Sequence, residues 1–270
     1  MIEIVSKKEG AELISVKFNG EEKLHDGIND WNRHAPVLFP IVGKLKNGET
    51  LIENEVYQMG QHGFARDSVF EQVGNNAYLL RYNEETLKKF PYKFELYISY
   101  ETTEDSVTTK YKVKNIDDKN IKFGLGGHPA FQCHYENCEL EFEQEENEVQ
   151  IFQLESGLVK TQEEDASKFI NGNKVKLDED IFENDAIIMK NLTSNKVILK
   201  EKNKNILEFD FTDFSYLAIW SKPGAKFLCI EPWLNTADRV NSDGKFENKE
   251  NLIELKPNEN VEYQYIVKFF

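Results

Sequence analysis

Apolar and polar residues alternate with a period of two over much of the chain, the spacing of strands that bury one face. Phe94-Glu95-Leu96-Tyr97-Ile98-Ser99-Tyr100 alternates in this way, and Val107-Thr108-Thr109-Lys110-Tyr111-Lys112-Val113 repeats the pattern with β-branched residues. Residues 140–142, 197–199, 206–211 and 261–267 predict further strands. Turn-forming residues punctuate them at Asn19-Gly20, Asn47-Gly48, Gly74-Asn75-Asn76, Asp117-Asp118 and Pro257-Asn258. Helical spacing is sparse: residues 84–89 predict a turn or two, ended by Pro91. So many strands without alternating helices predict an all-β, antiparallel sandwich rather than βαβ units. No repeat or linker interrupts the pattern, so residues 1–270 are expected to form one domain.

Composition narrows the function classes. The 30% of charged residues are interleaved with Tyr, Phe, Ile and Val, which separates this chain from disordered ones. The formal charge of -15, with no run of Lys and Arg to reverse it locally, disfavours nucleic acid and anionic membranes as partners. The first eight residues carry mixed charge rather than an apolar export segment, and no stretch approaches the length of a membrane span. Three cysteines, Cys133, Cys138 and Cys229, read as reduced thiols in a cytoplasmic protein. Cys133 and Cys138 flank His134 and invite a zinc reading, but no second Cys/His pair stands at a structural-zinc spacing, so no metal is expected. The acidic stretches at 143–148 and 162–165 read as solvated edges or loops.

Three segments carry chemistry that structure alone does not require. Gln61-His62-Gly63-Phe64-Ala65-Arg66-Asp67 places an imidazole and a guanidinium four residues apart beside a glycine. Gly126-Gly127-His128-Pro129 holds a histidine between glycines and a proline. Phe227-Leu228-Cys229-Ile230-Glu231-Pro232-Trp233 ends an apolar strand in a glutamate, which is costly to bury unless paired or functional. Pro232 cannot donate to a ladder, so the strand is expected to end there with the carboxylate facing a cleft. Taken singly, each has a plainer reading. His62 fits a satisfied turn histidine, His128 a tight bend, and Glu231 a structural partner for Arg66.

The blocks that run Ala35-Pro36-Val37-Leu38-Phe39-Pro40-Ile41-Val42-Gly43-Lys44-Leu45-Lys46, Gln-His-Gly-Phe-Ala-Arg-Asp, Gly-His-Pro-Ala-Phe, Ile-Trp-Ser-Lys-Pro-Gly and Cys-Ile-Glu-Pro-Trp resemble the aldose 1-epimerase family, nearest to the LacX-like branch of galactose-mutarotase-related proteins. The likeness extends from near the N-terminus to the last strand. It implies a galactose-mutarotase-like β-supersandwich with a few short helices, an open sugar cleft and no cofactor. By the same resemblance, Glu231 is the general base and His128 the general acid. His62, Arg66, Asp185, Arg33, Trp233 and Lys44 would contact substrate. Lys44 stands where relatives often carry Arg, a point charge in place of a bidentate fork, with Arg33 as a substitute contact. Asn235 stands where many relatives have Gly.

The reaction implied is mutarotation: a proton leaves the anomeric hydroxyl, another reaches the ring oxygen, and the ring opens, rotates and recloses. Reference pKa values of about 4.3 and 6.5 would leave Glu231 ionised and His128 partly protonated. The expected partner is a small sugar, with the protein a monomer or homodimer. Two alternatives stand beside this reading. One is a hexose-6-phosphate 1-epimerase, with Arg33, Lys44, Lys46 and Arg66 as a phosphate pocket; the other is a carbohydrate-binding protein without catalysis.

Overall fold

The computed structural model describes residues 1–178 and 180–270. Among the described residues, the strands form one ten-stranded and one seven-stranded sheet with smaller ribbons, and the ladders between named strands are antiparallel. The sandwich expectation is met. No helix of the described residues is long and apolar enough to cross a membrane.

The ten-stranded sheet has Asn260–Phe269, Ser106–Asn115 and Phe94–Thr102 near its middle. Ser106–Asn115 alternates strictly between half-buried and buried positions, as its sequence predicts. Its inward residues Val107, Tyr111 and Val113 join a continuous core with Phe39, Phe94, Phe131 and Phe209. Its outward lysines pair across strands, Lys110 with Glu101 at 2.6 Å and Lys112 with Glu262 at 2.7 Å. A shallow hollow of about 750 Å³ lies on this sheet, lined by Tyr97, Lys110, Lys112 and Glu262 among others. The short helix is Glu84–Leu87, where Asn83 caps the backbone N–H groups of Glu85 and Thr86.

The seven-stranded sheet carries the chemistry. Its strands run in the order Gln150–Phe152, Ile187–Lys190, Tyr216–Trp220, Phe227–Trp233, Gly126–Gly127 and Val37–Leu38, with Ala130–Gln132 also paired to Phe227–Trp233. All seven residues of Phe227–Trp233 are buried, because neighbours flank the strand and both faces are covered. That double coverage explains the unbroken apolar run in the sequence.

The expectation that this strand ends at Pro232 is corrected. The ladder continues through Trp233, opposite Tyr216 on one side and Gly126 on the other. Its tolerance of proline has a local cause. Ile230 N–H donates to Pro129 O and Leu234 N–H to Leu125 O, so the missing donor at Pro232 points to that same side. There the neighbouring strand is broken between Gly126–Gly127 and Ala130–Gln132. His128 occupies the break.

A second correction concerns the acidic stretch at 143–148. Glu146 is buried rather than solvated, and its carboxylate accepts the backbone N–H groups of Thr193 and Ser194 at 2.6 and 2.9 Å.

Candidate active site

His128 is fixed through its backbone, which donates to Pro36 O at 3.1 Å, while Ala130 N–H donates to His34 O at 2.8 Å. Trp31 stacks on the imidazole, with ring centroids 4.7 Å apart and planes 28° apart, and Trp220 meets it edge-on at 5.9 Å. Glu231, opposite Ala218 in the central strand, brings Oε2 to 3.2 Å from His128 Nε2. The approach is too oblique for a hydrogen bond. Both Glu231 oxygens, His128 Nδ1 and the Trp233 indole nitrogen are buried without a partner. A carboxylate only 1% exposed with no donor is a costly arrangement, and one that structure alone does not explain.

Electrostatics follow from that burial. Burial, then the negative charge of Asp185, pushes the Glu231 carboxyl well above the usual carboxylate range, while the Trp233 indole pulls weakly the other way. Burial, then Arg66, pushes His128 down to about 3. Both shifts oppose the isolated-residue expectation, since burial favours the neutral carboxyl at Glu231 and the neutral imidazole at His128.

His62 lies on the same wall, its ring centroid 5.5 Å from that of His128. Its backbone takes a positive φ of 65°, uncommon for a histidine. The following Gly63, at φ 73°, fits only as glycine, since a Cβ there would stand 2.2 Å from Phe39 O. Gly43 N–H donates to His62 Nδ1 at 3.1 Å. Burial, then His128 and Arg66, keeps His62 neutral, so the accepting Nδ1 leaves its one proton on Nε2. The Gln61 side-chain amide stands 3.3 Å from that Nε2.

Arg66, in the short 3-10 turn Ala65–Asp67, donates from Nη2 to Gln61 O at 2.8 Å, while its buried Nε makes no hydrogen bond and stands 3.9 Å from Asp67 Oδ2. Arg33 is drawn to the same segment by Asp67, at 2.7 Å. Burial and Arg33 both lower the proton affinity of Arg66. Asp185 is exposed and holds Ala186 N–H at 2.8 Å.

These residues share one cleft of about 470 Å³, lined by Arg33, His62, Arg66, His128, Asp185, Trp220, Glu231 and Trp233 together with Trp31 and Gln61. Of the residues expected to contact substrate, Lys44 does not line it. Its Nζ donates to Ser156 O at 3.0 Å, behind Gly157 on the rim. Lys46 likewise turns to Ser242 O, at 3.0 Å. Trp31 and Trp220 were not among the expected site residues. Trp31, isolated in the polar stretch Asn29-Asp30-Trp31-Asn32-Arg33, was the available signal. Asn235 is fully buried against Gly124, where a Cβ would stand 2.3 Å from its Oδ1. A small residue there makes room for the large one.

A family model described as aldose 1-epimerase matches residues 2–268. The chain is similar to the protein LacX of Lactococcus lactis subsp. lactis, in its chromosomal and plasmid forms, at 32% identity covering 92% of this chain and 90% of the relative. Among solved structures, a galactose mutarotase related enzyme from Lactobacillus acidophilus superposes with a TM-score of 0.90 at 31% identity, covering 100% of this chain and 95% of that one. A galactose mutarotase-like protein from Lactobacillus casei gives 0.93 at 29% identity, covering 100% and 97%.

Proposed function

The chain belongs to the aldose 1-epimerase family, and from that premise we propose that it is a mutarotase, interconverting the two anomers of an aldose through its open-chain aldehyde. The observation that carries this reading is the approach of His128 Nε2 to Glu231 Oε2 at 3.2 Å inside one cleft, with the carboxylate free of other bonds. Mutarotation acts on two oxygens of a single carbon, the anomeric hydroxyl and the ring oxygen. It therefore needs an acid and a base a few ångströms apart, each contributing roughly 10² to 10⁴ in rate.

Glu231 takes the proton of the anomeric hydroxyl while His128 delivers one to the ring oxygen. The C1–O5 bond breaks, C1–C2 rotates, and the reverse transfers close the other anomer. Burial by itself favours the opposite placement, so the substrate's contacts must favour the charged forms of both groups. A sugar hydroxyl donating to the carboxylate favours its charged form. His62 Nε2–H and Arg66 steady charge at the ring oxygen. Trp31 and Trp233 offer flat faces to sugar C–H groups, and Asp185 accepts from hydroxyls.

Polarimetry on freshly dissolved α-glucose and α-galactose tests the reading. The wild-type protein accelerates the decay of rotation and Glu231→Gln does not. Sugar binding without acceleration would make the protein a lectin-like binder and overturn the proposal. One observation favours a second reading of the substrate: Arg33 and Arg66 stand together at the cleft with no hydrogen bond at Arg66 Nε, a setting for the phosphate of a hexose 6-phosphate. Competition between free and phosphorylated hexose in the same assay separates the two.

A further inference from the structure

We propose that the floor of the cleft is a binding site for a thiophilic divalent cation of the zinc class, held by His128, Cys229 and Glu231, and that its occupancy blocks the acid/base pair. The ligand-capable atoms of these three buried residues all lie within 4.8 Å of one another. The site is built by the sheet. Cys229 and Glu231 alternate onto one face of Phe227–Trp233, and His128 enters from the break in the neighbouring strand. Cys229 does not line the cleft; it packs beneath it with Ala130 and Phe227, against Trp31 and Trp220.

Two features favour a cation here over a thiol serving only as packing. The first is unmet bonding capacity, since both Glu231 oxygens are buried without a hydrogen-bond partner. The second is the donor set. One nitrogen, one sulfur and one oxygen suit zinc, whereas magnesium and calcium take oxygen ligands. Tetrahedral zinc holds such ligands roughly 3.3–3.6 Å apart. The His128–Glu231 separation of 3.2 Å is already near that range, and Cys229 Sγ lies within 4.8 Å of both partners. Two anionic ligands cancel the charge of a divalent ion, so the complex is neutral and its burial is not penalised as a lone charge would be.

On binding, the Cys229 thiol and the Glu231 carboxyl each release their proton to solvent as the metal–sulfur and metal–oxygen bonds form, with no change of oxidation state. The imidazole nitrogen and the carboxylate are then engaged by the metal, and the anomeric hydroxyl finds no base. The cation site rests on side-chain geometry alone; its inhibitory effect rests on the mutarotase reading.

The test uses chelator-treated full-length protein titrated with Zn²⁺ against a chromophoric chelator. A Cys133→Ser/Cys138→Ser double variant leaves Cys229 as the only thiol. Wild type and double variant are expected to bind one Zn²⁺ per chain, and Cys229→Ala at least tenfold more weakly. Co²⁺ in the double variant should show a thiolate-to-cobalt charge-transfer band, giving a readout that does not depend on whether Cys229→Ala folds. Zn²⁺ should slow wild-type mutarotation reversibly, and Cys229→Ala should keep the metal-free rate while needing at least tenfold more Zn²⁺ for the same inhibition. Zinc affinity independent of Cys229, or a cobalt complex without the thiolate band, overturns the site. Zinc bound through Cys229 without inhibition overturns the blocking step. Zinc bound through Cys229 in a protein that mutarotates no sugar supports the site and refutes the mutarotase reading instead.

Discussion

Two buried carboxylates seven residues apart, Glu231 and Asp238, have opposite surroundings. Asp238 Oδ1 receives Lys249 Nζ at 2.5 Å, both side chains less than 5% exposed, and Oδ2 accepts Lys46 N–H at 2.9 Å. Lys249 reaches Thr236 O as well. The pair clasps the segment after the central strand to the one that follows Gly43. Glu231 has no hydrogen bond, and its neighbour His128 is held by aromatic rings rather than by charge. Satisfied burial marks a structural clasp, and unsatisfied burial beside a cleft marks capacity kept for a ligand.

The contrast breaks most sharply at Glu231. Glu231→Gln should lose roughly 10² to 10⁴ in polarimetric rate with Tm unchanged or raised, because no hydrogen bond is lost and a buried acid is removed. A large fall in Tm would place Glu231 with Asp238. Asp238→Ala strands the Lys249 charge and should cost roughly 3–5 kcal/mol in urea unfolding, with kcat/KM of the folded fraction changed only a few-fold. A cost under about 1 kcal/mol would dissolve the comparison.

Proton linkage sharpens it further. Below its unfolded pKa near 6.5, His128 takes up a proton in the unfolded chain but not in the folded one until about pH 3. Its contribution to stability therefore falls as pH drops through that window. Glu231 has the opposite sign, since its folded carboxyl stays protonated above the usual carboxylate range and its contribution is lost as pH rises past that range. Stability measured between pH 4 and 6 should rise less with pH in His128→Asn than in wild type, and an equal slope would remove His128 from the titration. For the same reason the acid limb of kcat/KM should lie well below 6.5; a limb centred at the ordinary histidine value would contradict the neutral pair. Smallest is the exposed Lys112–Glu262 pair, where Lys112→Ala should cost no more than about 1 kcal/mol.

The sheet was legible where one face meets water. Residues 261–267 fall within Asn260–Phe269, and Asn19-Gly20 forms the expected turn with both φ values positive. The central strand announced itself differently, by an unbroken apolar run with one misplaced acid. The Trp31 and Trp220 rings against His128 were not readable, because they come from distant parts of the chain and meet only in the folded sheet. Nor was the bond from Gly43 N–H to His62, since a backbone donor leaves no residue-type signal. Lys44 shows the converse limit: a matching position in a motif does not say where a long side chain will turn.

Pro232 also guards the folding register of its strand. A slip of one residue would turn Glu231 away from His128. A slip of two would move the donor-less imide off the gap and set it against an intact neighbour, leaving an acceptor unmet. Misaligned pairings are thus disfavoured during assembly, and the imide that interrupts the ladder keeps the acid facing its histidine.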